Sequence, residues 1–193
     1  MIIDTNTFNK TEYTDFSNWY MSLNPEEFTP DVIEYPSTPP VEFEGLESNF
    51  TNWDWHRPRK LKLISIMSYN YPNNKDYGKA RKFIHESVPD NCECMHACYY
   101  PPGGYIGWHT NSNFTGYNIL LTYSETGDSF FEYVNNNEVI RINDPIGWSY
   151  KIIKWGVNED KVWHQAQTNC SRITITYYSE NLVNIENFRD TLL

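Results

Sequence analysis

The stretch that decides the fold reads Tyr117-Asn118-Ile119-Leu120-Leu121-Thr122-Tyr123-Ser124, then the turn Thr126-Gly127-Asp128, then Phe130-Phe131-Glu132-Tyr133-Val134. Two runs rich in β-branched and aromatic residues around a Gly-containing turn are typical of paired antiparallel strands. The same pattern predicts strands over residues 92–100, 117–124, 130–134, 138–143, 148–154 and 172–179. Short strands in series, separated by turns, favour a mainly β fold in which two sheets face each other, a jelly roll or barrel.

The first part of the chain has a different character. Residues 1–55 are polar, acidic and punctuated by prolines, and we expect them to form an extension that wraps the core, with a short helix over Thr11–Leu23. Residues 56–193 are then the β domain. It opens with a predicted strand over Lys60–Tyr69 and a predicted helix over Asp76–Val88, whose apolar residues approximate one face.

Composition excludes some classes of function. The formal net charge is −10, whereas a generic nucleic-acid binder carries a basic footprint, so a nucleic-acid partner is disfavoured. Residues 56–62 form a local basic patch, which we interpret as a solvated loop or strand edge. The sequence shows neither a basic, apolar leader at Met1 nor a run of 18 apolar residues, which predicts a cytoplasmic protein with no membrane partner. The aromatic share of 17% is high, and we interpret most of it as core packing.

A cysteine cluster invites a zinc interpretation. Cys92, Cys94 and Cys98 surround His96. On one strand these side chains share a face, but at about 3.3 Å per residue the first and last are roughly 20 Å apart. One tetrahedral ion cannot reach all four, so we favour small buried thiols in a reducing compartment.

The residues that carry chemistry lie in the strand-rich part. His109 and Asn111 are two residues apart and would point the same way on an extended chain, and His164 could join them from a neighbouring strand. Two histidines and a third ligand on one side of an ion are typical of non-heme iron oxygenases. Arg172 and Thr174 share a face of a β-branched strand, where a guanidinium and a hydroxyl could hold a carboxylate. Tyr100 could add a phenolic donor.

Residues 98 to about 178 resemble the double-stranded β-helix core of the Fe(II)/2-oxoglutarate-dependent dioxygenases. Tyr100-x-Pro-Gly followed by His109-x-Asn111 resembles the Tyr-x-Pro-Gly and His-x-Asp stretch of the prolyl hydroxylase-like and alkylation-repair branches. The sequence Thr126 to Phe131 is similar to the turn and strand that follow in prolyl hydroxylases. Trp163-His164 with Arg172-x-Thr174 resembles the distal His followed by Arg-x-Ser.

The resemblance implies a double-stranded β-helix with flanking N-terminal helices and a set of roles for these residues. His109, His164 and the residue at Asn111 would bind Fe(II). Arg172, with Thr174 and Tyr100, would hold the distal carboxylate of 2-oxoglutarate. With O2 as co-substrate, the enzyme would hydroxylate a substrate while decarboxylating 2-oxoglutarate to succinate.

Asn111 departs from the family pattern, which has a carboxylate at this position. An amide oxygen can ligate a cation but carries no charge, so iron binding should weaken. Three outcomes stay open: Asn111 ligates as a neutral donor, Asp128 or Glu125 supplies the carboxylate, or the site has lost iron and the protein is a non-catalytic β-barrel that binds a ligand. A metal-dependent cupin-like enzyme, such as an isomerase, would leave Arg172 unexplained. For an oxygenase, a protein side chain or small molecule is favoured as the primary substrate.

Overall fold

A computed structural model of the chain describes residues 1–27, 61–67, 71, 74–111, 115–136, 138–156 and 162–193. The three α-helices are α1 (Thr11–Met21), α2 (Asn74–Glu86) and α3 (Leu182–Leu192), and a short 3-10 turn spans Pro25–Glu27. The strands are β1 (Ile2–Thr7), β2 (Leu61–Lys62), β3 (Ile64–Ser65), β4 (Glu93–Tyr100), β5 (Tyr105–His109), β6 (Gly116–Ser124), β7 (Ser129–Asn135), β8 (Glu138–Asn143), β9 (Gly147–Trp155), β10 (His164–Thr168) and β11 (Arg172–Ser179). In these parts of the chain, no helix has the length and apolar character needed to cross a membrane.

The strands form two antiparallel sheets. The major sheet has six strands in the order β1-β9-β6-β11-β4-β3, and the minor sheet has five in the order β2-β5-β10-β7-β8. The eight strands from β4 to β11 are divided equally between the two sheets. The major sheet contains β4, β6, β9 and β11, and the minor sheet contains β5, β7, β8 and β10. This is the double-stranded β-helix, which confirms the predicted fold class.

The major sheet is buried on both faces. On β11, the odd-numbered Ile173, Ile175 and Tyr177 pack under the helices, while even-numbered positions from Arg172 onward face the minor sheet. Such double burial explains why β6 and β11 are almost continuously buried instead of alternating with solvent. Aromatic rings fill the helix side of this sheet, for example Phe16 of α1 stacked on Phe83 of α2 with centroids 4.0 Å apart. The aromatic content therefore serves mainly as core, as predicted.

The predicted strands of the β domain match the structure to within one residue at most ends. The predicted strand over Lys60–Tyr69 is wrong as a continuous element. Its described part forms β2, which pairs with β5 in the minor sheet, and β3, which pairs with β4 in the major sheet. The chain crosses from one sheet to the other at Leu63, and residues 60 and 68–70 lie outside the described residues.

The described start of the chain belongs partly to the major sheet. The strand β1 pairs with β9, so Ile2–Thr7 forms the edge of that sheet, and α1 packs on the helix side. The indole of Trp148 on β9 donates to the Tyr13 carbonyl of α1 at 3.0 Å. The proposed boundary between an extension and the β domain, at residues 55 and 56, lies outside the described residues.

Candidate active site

A cavity of about 360 Å³ lies between the two sheets. All six residues singled out in the sequence contribute to its lining: Tyr100, His109, Asn111, His164, Arg172 and Thr174. They come from β4, from β5 and the residues that follow it, from β10 and from β11. No Asp or Glu occurs among the described residues that line the cavity, although the whole chain has a net charge of −10. The cavity therefore suits an anionic ligand.

The two histidines face each other on neighbouring strands of the minor sheet. His164 of β10 is directly opposite His109 of β5, and the ring centroids are 4.0 Å apart with the planes tilted by 52°. Both rings are buried, with exposed fractions of 4% for His109 and 6% for His164. The structure therefore brings the distal histidine to the first one, as the sequence interpretation required.

Backbone carbonyls fix the tautomer of both rings. Nδ1 of His109 donates to the Gly107 carbonyl at 2.7 Å, and Nδ1 of His164 donates to the Val162 carbonyl at 3.0 Å. A carbonyl only accepts hydrogen bonds, so Nδ1 carries a proton in each ring, and in the neutral form of the ring the lone pair is then on Nε2. Histidines held in this way by a carbonyl are typical of metal ligands. The pair can supply two imidazole ligands to one ion.

Asn111 is half-buried immediately after the end of β5 and lines the cavity with His109. Neither of the two carboxylates considered as replacements lines the cavity. Asp128 is exposed and accepts a hydrogen bond from the Asn169 amide at 3.3 Å, and Glu125 is exposed in the same turn. Across the described ranges, no group of three or more His, Cys, Asp or Glu side chains could hold a metal. Asn111 therefore shares the cavity lining with the two histidines, and no carboxylate among the described residues does.

Arg172 is the most informative residue of the cavity. Its side chain is fully buried, and its Nε donates to Oδ2 of Asp144 at 2.9 Å. Its two terminal nitrogens, Nη1 and Nη2, have no hydrogen-bond partner among the described residues, and the same is true of the Thr174 hydroxyl. Leaving such groups buried and unpaired costs about 1–3 kcal/mol each, and more when they are charged. A planar carboxylate would satisfy both guanidinium nitrogens at once.

Tyr100 lies beside Arg172 and Thr174, the two residues that we call the carboxylate clamp. The guanidinium carbon of Arg172 is 5.0 Å from the centre of the Tyr100 ring, within the range of a cation–π contact. Burial raises the pKa of Tyr100 well above its usual value, so the phenol keeps its proton and stays a possible donor. The cavity thus combines, in one place, two imidazoles and a donor set that fits a carboxylate.

Sequence reasoning missed two residues behind the clamp, Asp144 and Lys151. Asp144 Oδ1 accepts from Nζ of Lys151 at 2.5 Å, and both side chains are at most 1% exposed. Burial alone would raise the pKa of Asp144, but Arg172, Lys151 and hydrogen bonds from Lys151 and Ser129 hold it well below its usual value. A signal existed for Lys151, which is a lone charge in the middle of an otherwise buried stretch of β9. Asp144 gave no such signal, because Asn143-Asp144-Pro145 is typical of a turn between strands.

The cysteine cluster belongs to β4 and its start. Nε2 of His96 lies 2.9 Å from the Thr176 hydroxyl at the cavity wall. Burial raises the pKa of Cys94 to about 11 and that of Cys98 to about 12, so both are neutral thiols at pH 7. Gly104 in the turn between β4 and β5 packs on protein backbone, since a Cβ there would lie 2.6 Å from the Pro101 carbonyl oxygen.

No protein-family model and no curated protein matches the sequence. The chain is similar in structure to a prolyl hydroxylase from Trichoplax adhaerens, solved with a peptide fragment of the hypoxia inducible factor oxygen degradation domain. That likeness has 16% identity and a TM-score of 0.48, and covers 99% of this chain and 86% of the other. It is also similar to a Pseudomonas putida prolyl-4-hydroxylase, at 12% identity and a TM-score of 0.45, over 92% of both chains.

A third similar structure is a 2OG-Fe(II) oxygenase family protein from Burkholderia pseudomallei, at 10% identity and a TM-score of 0.39, over 91% of this chain and 94% of the other. Cupin domains match over smaller parts of the chain, for example one from Bordetella pertussis at a TM-score of 0.27 over 46%. At these identities and TM-scores, any assignment of activity has to come from the residues of the cavity.

Proposed function

We propose that the protein is a non-heme Fe(II)- and 2-oxoglutarate-dependent oxygenase that hydroxylates a protein side chain or a small molecule. One observation carries the proposal: the facing histidines His109 and His164 share a cavity with the buried Arg172, whose two terminal nitrogens lack a partner among the described residues. A metal site and a carboxylate site in one cavity match the two ends of a 2-oxo dicarboxylate.

In this proposal, Nε2 of each histidine is a ligand of the ion, and the side-chain oxygen of Asn111 is the third. The two histidines come from one end of β5 and β10, and Asn111 follows β5 by two residues, so all three would hold a cation from the same part of the cavity. Because Asn111 is neutral, this ligand set binds a divalent cation more weakly than one with a carboxylate.

Arg172 orients the co-substrate. Nη1 and Nη2 donate to the two oxygens of its distal carboxylate, and the hydroxyls of Thr174 and Tyr100 are placed to donate beside them. When bound, Fe(II) and 2-oxoglutarate would supply the oxidising equivalent for hydroxylation, with decarboxylation of 2-oxoglutarate to succinate. Leu120, Phe131 and Trp155 form apolar walls of the cavity, and the Phe131 and Trp155 rings contact that of His164.

The proposal also covers the cellular compartment, the domain limits and the class of substrate. The four free cysteines fit a reducing compartment, and we propose a cytoplasmic protein. We retain residues 56–193 as the catalytic domain and residues 1–55 as its extension. The net charge of −10 favours a protein or small-molecule substrate over nucleic acid.

A second function is favoured by one specific observation, the neutral Asn111 with no carboxylate beside the histidines in the described part of the cavity. The protein would then be a binding module that holds a carboxylate ligand on Arg172 without redox chemistry. Dependence on iron separates the two functions.

Succinate formation tests the proposal. Protein at near-stoichiometric concentration is incubated with 2-oxoglutarate, Fe(II) and air for hours, so that slow turnover without primary substrate is still detected. We expect succinate from the wild type, no succinate without iron or oxygen, and none from His164→Ala. Absence of succinate from an iron-loaded wild type would contradict the oxygenase and support the binding module.

A further inference from the structure

The carboxylate clamp is backed by a buried group of three charges, which we call the ion group: Asp144, Lys151 and Arg172. The Asp144 carboxylate contacts both cations, with Oδ2 at 2.9 Å from Nε of Arg172 and Oδ1 at 2.5 Å from Nζ of Lys151. The Ser129 hydroxyl also donates to Oδ2, at 2.8 Å. The three charged side chains are between 0% and 1% exposed.

The charges of the ion group do not cancel. Two cations face one carboxylate, which leaves one positive charge in excess, away from water. An uncompensated buried charge is costly, and the cost is relieved when an opposite charge binds next to it. An anionic ligand could balance that charge from the cavity side of Arg172. There Nη1 and Nη2 lack partners among the described residues, and no described acidic residue lines the cavity.

The geometry also shows what Lys151 does to Asp144. A carboxylate next to an arginine usually binds it with both oxygens, through two parallel hydrogen bonds. Here Lys151 occupies Oδ1, so Asp144 reaches Arg172 through Oδ2 and Nε alone. Both terminal nitrogens of the guanidinium therefore remain able to donate to a ligand in the cavity.

We infer that Asp144 and Lys151 are positioning residues for Arg172: Asp144 anchors the guanidinium by Nε, and Lys151 holds Asp144 away from the terminal nitrogens and supplies the excess positive charge that selects an anionic ligand. The inference rests on the proposed function for the identity of that ligand, 2-oxoglutarate. Lys151 does not line the cavity, so it acts through the other two residues. Burial and the neighbouring Arg172 lower the pKa of Lys151, and the contact with Asp144 opposes that effect and favours the charged amine.

Lys151→Met tests the inference and leaves no buried charge without a counter-charge. The variant removes the excess charge and keeps Asp144 paired with Arg172, so it avoids the uncompensated buried charge that makes the loss of one ion-pair partner strongly destabilising. Lys154→Met is the matched control, since Lys154 is an exposed lysine of the same strand.

The measurement is calorimetric titration of wild type, Lys151→Met and Lys154→Met with 2-oxoglutarate, with and without Mn(II), and with neutral glutaramide as a second probe. We expect the dissociation constant for 2-oxoglutarate to rise by about tenfold or more in Lys151→Met, because a nearby buried charge is lost. It should stay within about twofold in Lys154→Met, by the usual weakness of exposed charges. The affinity for glutaramide should be the same in wild type and Lys151→Met, whereas a general loss of structure would lower it as well.

Two results would overturn the inference: an unchanged dissociation constant for 2-oxoglutarate in Lys151→Met, or a wild type that binds no 2-oxoglutarate with or without Mn(II). Failure of the proposed function looks different. A wild type that binds 2-oxoglutarate in a Lys151-dependent way but forms no succinate with iron and oxygen keeps the ion group as an anion selector and removes the oxygenase.

Discussion

Replacing Arg172 by Met separates the carboxylate clamp from the metal ligands. Met replaces the methylene stem of Arg172 with an unbranched apolar stem and removes the guanidinium, so the packing next to the stem is kept while the charged donors are lost. Asp144 stays paired with Lys151 at 2.5 Å and with Ser129 at 2.8 Å, so no buried carboxylate is left alone. We therefore expect a folded protein whose thermal midpoint without ligand is close to that of the wild type.

The loss of affinity can be worked from the two terminal nitrogens of Arg172. Both are buried and without a partner in the described structure, so each can give the ligand one charge-assisted hydrogen bond. Such bonds contribute about 1.5–3 kcal/mol each, or about 3–6 kcal/mol for the pair. At about 1.4 kcal/mol per factor of ten, the dissociation constant for 2-oxoglutarate should rise by about 10² to 10⁴.

The assay is calorimetry with 2-oxoglutarate on Mn(II)-loaded protein, together with a separate titration of Mn(II) alone. Metal affinity should be nearly unchanged in Arg172→Met, because the histidines are on other strands. Arg81→Met, which removes an exposed arginine of α2, is the control and should match the wild type in both titrations. Equal affinity for 2-oxoglutarate in Arg172→Met and wild type would refute the assignment of Arg172 as the clamp.

Three further predictions concern the metal site and the ion group. His164→Ala should abolish iron binding, and the exposed His85→Ala should not; stoichiometric iron in purified His164→Ala would remove His164 from the site. Asn111→Asp adds a charged ligand and should tighten Fe(II) binding by about tenfold or more, as seen by competition with a chelator; weaker or equal binding would show that the residue is not a ligand. The lowered pKa of Asp144 means that its contribution to stability is complete above the ordinary aspartate pKa of about 3.9 and is lost as the pH falls further. Unfolding of wild type and Asp144→Asn in denaturant should therefore differ most near neutral pH and converge in acid, and a constant difference down to pH 2 would contradict this.

The predictable part of the fold is the part in which local pattern and tertiary environment agree. The strands β6, β8 and β11 carry β-branched and aromatic runs between turn residues, and their predicted limits differ from the structure by at most one residue. The helix α3 was not predicted, although signals were present: the Asn181 side chain caps it by accepting from the Val183 amide, and Ile185, Phe188 and Leu192 form its buried face.

Other elements carry too little local signal. The strand β10 reads His-Gln-Ala-Gln-Thr, and it is a strand because β5 and β7 pair with it on both sides. The strand β1 was assigned to an extension because its composition is polar, yet β9 offers it a free edge. Pairing with distant segments decides both cases, and a single sequence does not display it.

The residues of the cavity also divide into those that local sequence pattern predicts and those that only tertiary contacts bring together. Alternation along β11 predicted that Arg172 and Thr174 share a face, and the structure places both in the cavity with Tyr100, His109, Asn111 and His164. Their roles as ligands and clamp stay predictions. The ion group as a whole could not be foreseen, although Lys151 carried a signal. The strands of Lys151 and Arg172 are separated by β6 in the major sheet, and Asp144 contacts Arg172 across 28 residues of sequence.

The central claim is that one cavity holds iron and 2-oxoglutarate together. Anaerobic titration of the wild type with Fe(II) and 2-oxoglutarate, followed in the visible spectrum, tests it most directly. We predict a charge-transfer band that needs both components and is lost in His164→Ala and Arg172→Met. No band, with no measurable affinity for iron, would contradict the claim and show that Asn111 marks a site that binds its ligand without metal.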